Sequence, residues 1–126
     1  VEVIDNVIRT GMSLIGKSKF SYDYRPPAYL DCSSFIYYIF KENGINIGTK
    51  AVNYQVFLGE YVSMRELRKG DLVFFNTKKE QQDATHVALY LGNGRVLHMT
   101  NPRYNVIVSR LDSWLMQYYM TARRII

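Results

Sequence analysis

His86-Val87-Ala88-Leu89-Tyr90-Leu91-Gly92-Asn93-Gly94-Arg95-Val96-Leu97-His98-Met99-Thr100 carries the decisive pattern of this chain. Two runs rich in β-branched and aliphatic residues flank Gly92-Asn93-Gly94, which marks a β-hairpin. Alternate residues of a strand share a face. A three-residue loop over 92–94 pairs Leu91 with Arg95. In that register His86 opposes Thr100, His98 opposes Ala88, and both histidines fall on one face. They are then diagonal neighbours, roughly 7–8 Å apart at the backbone. A two-residue Asn93-Gly94 turn is the alternative, and Asn-Gly favours it. It pairs Gly92 with Arg95 and sends the histidines to opposite faces. The first register is preferred, because it also gathers Val87, Leu89, Leu91, Leu97 and Met99 into a single apolar face.

Upstream of the hairpin the period is helical. Residues 3–15 carry Val3, Ile4, Val7, Ile8, Met12 and Ile15 at helix spacing, with Gly16 as a stop. Residues 17–31 read as an aromatic loop, and Arg25-Pro26-Pro27 excludes regular structure. Residues 33–43 read as a buried helix with Cys32, Phe35, Ile36, Ile39 and Phe40 on one face, ended by Gly44. A short helix is expected over 52–59 and a turn at 64–67. Strands are expected at 72–76, 86–91, 95–100 and 105–109, then a helical turn over 111–117 and a last strand over 118–125. Helices first and an antiparallel meander after them predict an α+β fold in one domain spanning residues 1–126.

Cys32 is the only cysteine, and His86 and His98 are the only histidines. A lone cysteine makes no disulfide within the chain. Its place at a helix start is where a thiol ionises most easily, and an imidazolium nearby would lower its pKa further. The same helix start offers unpaired backbone N–H groups for an oxyanion. One thiol and two imidazoles are the minimum set for a cysteine hydrolase. A zinc site on the same three residues lacks the closely spaced ligand pairs that structural zinc prefers.

The formal charge of +5 favours an anionic partner. The cations are scattered, with small groups at Arg65/Arg68/Lys69, Lys78/Lys79 and Arg123/Arg124, and none is interleaved with aromatics. That argues against nucleic acid. No run is long and apolar enough to span a membrane, so no membrane insertion is expected. Eleven tyrosines and six phenylalanines serve packing first, with a sugar- or peptide-binding groove as the functional alternative. The chain starts at Val1, without Met or a signal sequence. This is read as a module cut from a larger secreted or surface protein.

Three strings in this order resemble the NlpC/P60 family, papain-like cysteine peptidases of bacterial cell-wall turnover. They are Asp31-Cys32-Ser33-Ser34-Phe35, Arg68-Lys69-Gly70-Asp71-Leu72-Val73-Phe74-Phe75, and the stretch from His86 to His98. The resemblance implies a papain-like fold with N-terminal helices packed on an antiparallel sheet. It implies Cys32 as nucleophile, His86 as general base and acid, and His98 as the residue that orients His86. Asp31, Ser33 and Tyr22 are implied as substrate contacts, with helix capping as the plainer role for Asp31 and Ser33. The implied substrate is the peptidoglycan stem peptide, cut between γ-D-glutamate and a diamino acid. No metal or organic cofactor is implied, and a secreted or wall-associated monomer is expected. Two departures stand out. Phe20 falls where relatives often carry a tyrosine, with Tyr22 as the substitute, and Ser34 replaces a glycine common after Asp-Cys-Ser. The competing readings are a non-catalytic wall-binding module and a papain-like amidase or acyltransferase with a non-wall substrate.

Overall fold

The computed structural model describes residues 2–126. Helix α1 spans Glu2–Ser13, and two short parallel strands follow, β1 (Lys19–Phe20) and β2 (Tyr29–Leu30). Helix α2 (Cys32–Lys41) and the single turn α3 (Val52–Gln55) come next, then the edge strand β3 (Glu60–Tyr61). The remaining strands are β4 (Leu72–Phe75), β5 (His86–Gly92), β6 (Arg95–Met99), β7 (Val106–Arg110) and β8 (Tyr119–Arg124). Together with β3 they form one six-stranded antiparallel sheet in the order β3-β8-β4-β5-β6-β7. The α+β class expected from the sequence is what the structure has.

Five sequence expectations change in detail. Helix α1 ends at Ser13, and α3 is one turn rather than the eight residues of 52–59. The stretch expected as loop over 17–31 contains β1 and β2, which bracket the Pro26-Pro27 turn. Strand β3 was not expected at all; two residues carry no usable alternation.

The fifth change concerns the hairpin. Leu89 pairs with Leu97 and Tyr90 with Val96, yet Gly92 pairs with Arg95. The loop is thus the two-residue Asn93-Gly94 turn, with φ of 53° and 74°, and Leu91 is the extra residue of a bulge. Both sequence signals were valid. Asn-Gly sets the turn, and the bulge restores the pairing that the apolar face demands.

That apolar face carries the larger core. Phe35, Ile36, Ile39 and Phe40 of α2 are fully buried against Val87, Leu89, Leu97 and Met99. Each such side chain contributes about 1.5–3 kcal/mol on burial, and truncating Ile39 to alanine would cost about 2–5 kcal/mol. Helix α1 lies close on the same side. A Cβ on Gly11 would meet Leu97 Cδ2 at 2.6 Å, so any larger residue here would force that side chain to shift. The opposite face holds a smaller core of Val73, Phe75, Ala88, Val96, Leu111 and Leu115.

At the start of β4, Asp71 is buried and accepts both nitrogens of a fork from Arg124 of β8, at 2.8 and 2.9 Å. Its carboxylate also accepts the Arg68 backbone N–H at 2.8 Å. This part of the Gly-Asp-Leu-Val-Phe-Phe string therefore clamps two neighbouring strands. Among the described residues, no helix is long and apolar enough to cross a membrane.

Candidate functional site

Cys32 opens α2. Asp31 caps that helix: its Oδ1 accepts the Ser34 backbone N–H at 2.8 Å, and Ser34 Oγ accepts the Asp31 N–H at 2.8 Å. This reciprocal cap is worth about 1 kcal/mol for its N-cap half. Ser34, the departure from the usual glycine, closes it. Ser33 is buried, its hydroxyl 3.4 Å from Asp31 Oδ1, and its carbonyl accepts from the buried Gln55 amide at 2.9 Å. Gln55 also donates to the Thr49 carbonyl at 3.0 Å, so α3 fixes the first turn of α2.

The thiol packs beside the start of β5, with Sγ 4.0 Å from the Thr85 carbonyl. His86 follows at once. Its Nε2 lies 2.8 Å from Nδ1 of His98 on β6, and Nε2 of His98 lies 2.8 Å from Ser109 Oγ on β7. The two histidines do share a face. His98 is fully buried, and the Phe75 ring sits 5.8 Å from that of His86. Because His86 commits Nε2 to His98, Nδ1 is the ring nitrogen left for other work.

A cleft of about 520 Å³ joins these parts, with Cys32, His86, Asp31 and Ser33 in its floor and walls. Lys78 and Asp83 line one side, and Trp114, half exposed, another. Phe20 and Tyr22 stand at its rim with their rings packed edge to face, 5.2 Å apart. Tyr22 is 85% exposed, so its hydroxyl is free to meet a ligand. The rim is tied to the sheet by Asn105, whose Oδ1 accepts the Phe20 N–H at 2.8 Å.

The electrostatics reverse one expectation. Burial pushes the Cys32 thiol up from 9.0 to about 11, and the adjacent Asp31 carboxylate adds to the rise. Backbone N–H groups of Val87 and Ser33 pull the other way and lose. The cap that stabilises the helix thus places a negative charge where the helix terminus would favour a thiolate. Burial pushes His86 down from 6.5 to about 4. It pushes His98 down to about 3, with His86 adding to the fall. At neutral pH these directions favour a neutral thiol beside two neutral imidazoles over a preformed ion pair. Among the described residues, no group of three or more His, Cys, Asp or Glu side chains could hold a metal ion.

Sequence reasoning singled out Cys32, His86, His98, Asp31, Ser33 and Tyr22. The structure joins the two imidazoles directly, and all but His98 line the cleft. Sequence reasoning missed Ser109, Gln55, Asn105, Thr85 and Trp114. Ser109 was placed on a strand, but nothing in its neighbours singled it out.

A helix N-terminus abutting an antiparallel sheet, with a thiol at the junction, is the arrangement that the resemblance in the sequence implied. This chain belongs to the NlpC/P60 family, whose model matches residues 16–125. It is 33% identical over 132 residues to the peptidoglycan DL-endopeptidase CwlO of Bacillus licheniformis, covering 98% of this chain and 28% of that protein. It is 33% identical over 94 residues to a gamma-D-glutamyl-L-lysine dipeptidyl-peptidase of Bacillus subtilis, covering 75% of this chain and 31% of that one. The crystal structure of an NlpC/P60 family protein from Bacillus cereus superposes with a TM-score of 0.83 at 29% identity, over 97% of this chain and 40% of the other. The chain thus spans under a third of the two named relatives and two fifths of that structure.

Proposed function

We propose that this domain is a cysteine endopeptidase that cuts peptidoglycan stem peptides, between γ-D-glutamate and a diamino acid. The observation that carries the reading is the junction of Cys32 and His86 in one cleft, with the far nitrogen of His86 held by His98. Family membership and the names of the two curated relatives support the substrate class.

The neutral resting state dictates how the nucleophile forms. His86 Nδ1 takes the Cys32 proton as Sγ attacks the γ-carbonyl carbon, so charge appears only as the C–S bond forms. The displaced π electrons go to the carbonyl oxygen. The backbone N–H of Cys32, without an intrahelical partner, faces the oxyanion as a donor. As the tetrahedral species collapses, the C–N bond breaks and the leaving amine takes the proton from His86. Water then attacks the thioester, His86 removes its proton, and the C–S bond breaks to return the thiol. His98 accepts from Nε2–H of His86 while that ring is cationic.

Asp31, Ser33 and Tyr22 are assigned as peptide contacts, with Tyr22 at the rim doing the work of the tyrosine that Phe20 replaces. The domain works as a monomer on exported or surface-bound protein, and its positive charge suits an anionic wall.

The test is digestion of purified peptidoglycan by the wild type and Cys32→Ala, read by mass spectrometry. Stem peptides cut next to γ-D-glutamate by the wild type alone support the reading. Intact muropeptides from several wall types, with both proteins, would overturn it.

A further inference from the structure

The imidazole pair does not end at His98. Val96 pairs with Ser109 and His98 with Ile107, so Ser109 lies diagonally across from His98 on the same face. Its hydroxyl reaches Nε2 of His98 at 2.8 Å. Three ring nitrogens and one hydroxyl thus form a single hydrogen-bonded row running from the cleft across three strands.

Such a row has two directions. In one, Nε2–H of His86 donates to Nδ1 of His98, and Nε2–H of His98 donates to Ser109. Nδ1 of His86 then presents a lone pair to the cleft. In the other, Ser109 donates to Nε2 of His98, Nδ1–H of His98 donates to Nε2 of His86, and Nδ1 of His86 carries a hydrogen. Only the first direction leaves His86 able to take a proton from a thiol. Both satisfy every nitrogen inside the row, so the two rings cannot choose between them alone.

We propose that Ser109 is a positioning residue that supports the reactive tautomer of His86 by accepting the hydrogen bond from His98. This rests on the reading that His86 deprotonates Cys32. His98 is fully buried, and a buried N–H without an acceptor is costly. Ser109 supplies that acceptor for Nε2–H and can turn its own hydrogen elsewhere. When His86 becomes an imidazolium, the second direction is impossible, since both of its nitrogens then donate. Ser109 therefore favours the charged intermediate as well as the resting tautomer. A hydroxyl also adds no charge. A carboxylate there would draw a proton onto His98 and remove its lone pair from His86.

The test is long-range ¹H–¹⁵N NMR of the histidine rings near pH 7.5, in wild type, Ser109→Ala and Ser109→Thr, alongside muropeptide kinetics. In the wild type both rings are expected to carry hydrogen on Nε2. Ser109→Ala is expected to move His98 toward the Nδ1–H form and to lower kcat about tenfold with KM unchanged, as loss of one hydrogen bond implies. Ser109→Thr is expected to restore both. A wild type with hydrogen on Nδ1 of His98, or a Ser109→Ala variant with unaltered rings, would overturn the inference. A wild type with the expected ring pattern, sensitive to Ser109→Ala but cutting no stem peptide, would remove the proposed substrate and leave the tautomer assignment standing.

Discussion

Nε2 of His86 and Nδ1 of His98 face each other at 2.8 Å, and only one hydrogen fits between them. Each ring thus limits the other's protonation, in a place where water is already scarce.

That pairing makes the fold acid-sensitive in a defined window. The unfolded chain binds these protons near pH 6.5, whereas the folded chain binds them at about 4 and about 3. Acid therefore favours the unfolded state. Stability present above pH 6.5 falls as pH drops toward 4 and then 3, and the effect flattens below both values. The combined loss is of the order of a few kcal/mol. Urea unfolding at pH 7 and pH 4.5 should show it, and His98→Gln should flatten much of the slope. Equal midpoints at the two pH values would refute the burial argument.

Thiol reactivity should follow the raised pKa. Alkylation of Cys32 by a small electrophile is expected to be slow at pH 6 and to climb toward about pH 11. A rate already at its plateau at pH 6 would mean a preformed thiolate–imidazolium pair.

Asp31→Asn separates the cap from the charge. Asparagine caps helices as well as aspartate, so unfolding should change little. The carboxylate that raises the Cys32 pKa is gone, and the alkylation profile should shift to lower pH. An unmoved profile would leave burial as the whole cause.

Gly11→Ala tests the approach of α1 to the sheet. Alanine gains about 1 kcal/mol of helix propensity. Its Cβ, however, meets Leu97 at 2.6 Å. Overpacking of about 1–3 kcal/mol should exceed that gain. Denaturant titration should show net destabilisation, partly relieved by Leu97→Val. A more stable Gly11→Ala would mean that Leu97 simply turns aside.

The α+β class was legible because the longer elements carry strong periods. The face of α2 from Phe35 to Phe40 and the alternation of β5 and β6 each point to one partner surface. The shared face of His86 and His98 followed from parity once the apolar face had chosen the register, and their partnership came from the family resemblance. Ser109 could not be found that way, since its value depends on the register of β6 against β7, which no turn signal near Asn105 discloses. Strands β1 and β3 are too short to show a period. The thiol's raised pKa was out of reach for another reason. A helix start lowers a thiol pKa only if the thiol stays wet, and sequence does not reveal how deeply Phe35 and Val87 bury the junction.

Strand β8 is the last of the sheet in the chain but lies inside it, between β3 and β4. Until Tyr119–Arg124 has been synthesised, β4 has an open edge, and Asp71 lacks its arginine. The wall of the cleft at Trp114 is anchored only just before that strand. Strand order therefore makes completion late and abrupt, because distant segments must meet before the sheet closes. A nascent chain carries Cys32 long before it carries a finished cleft, so the cleft is complete only once β8 is in place.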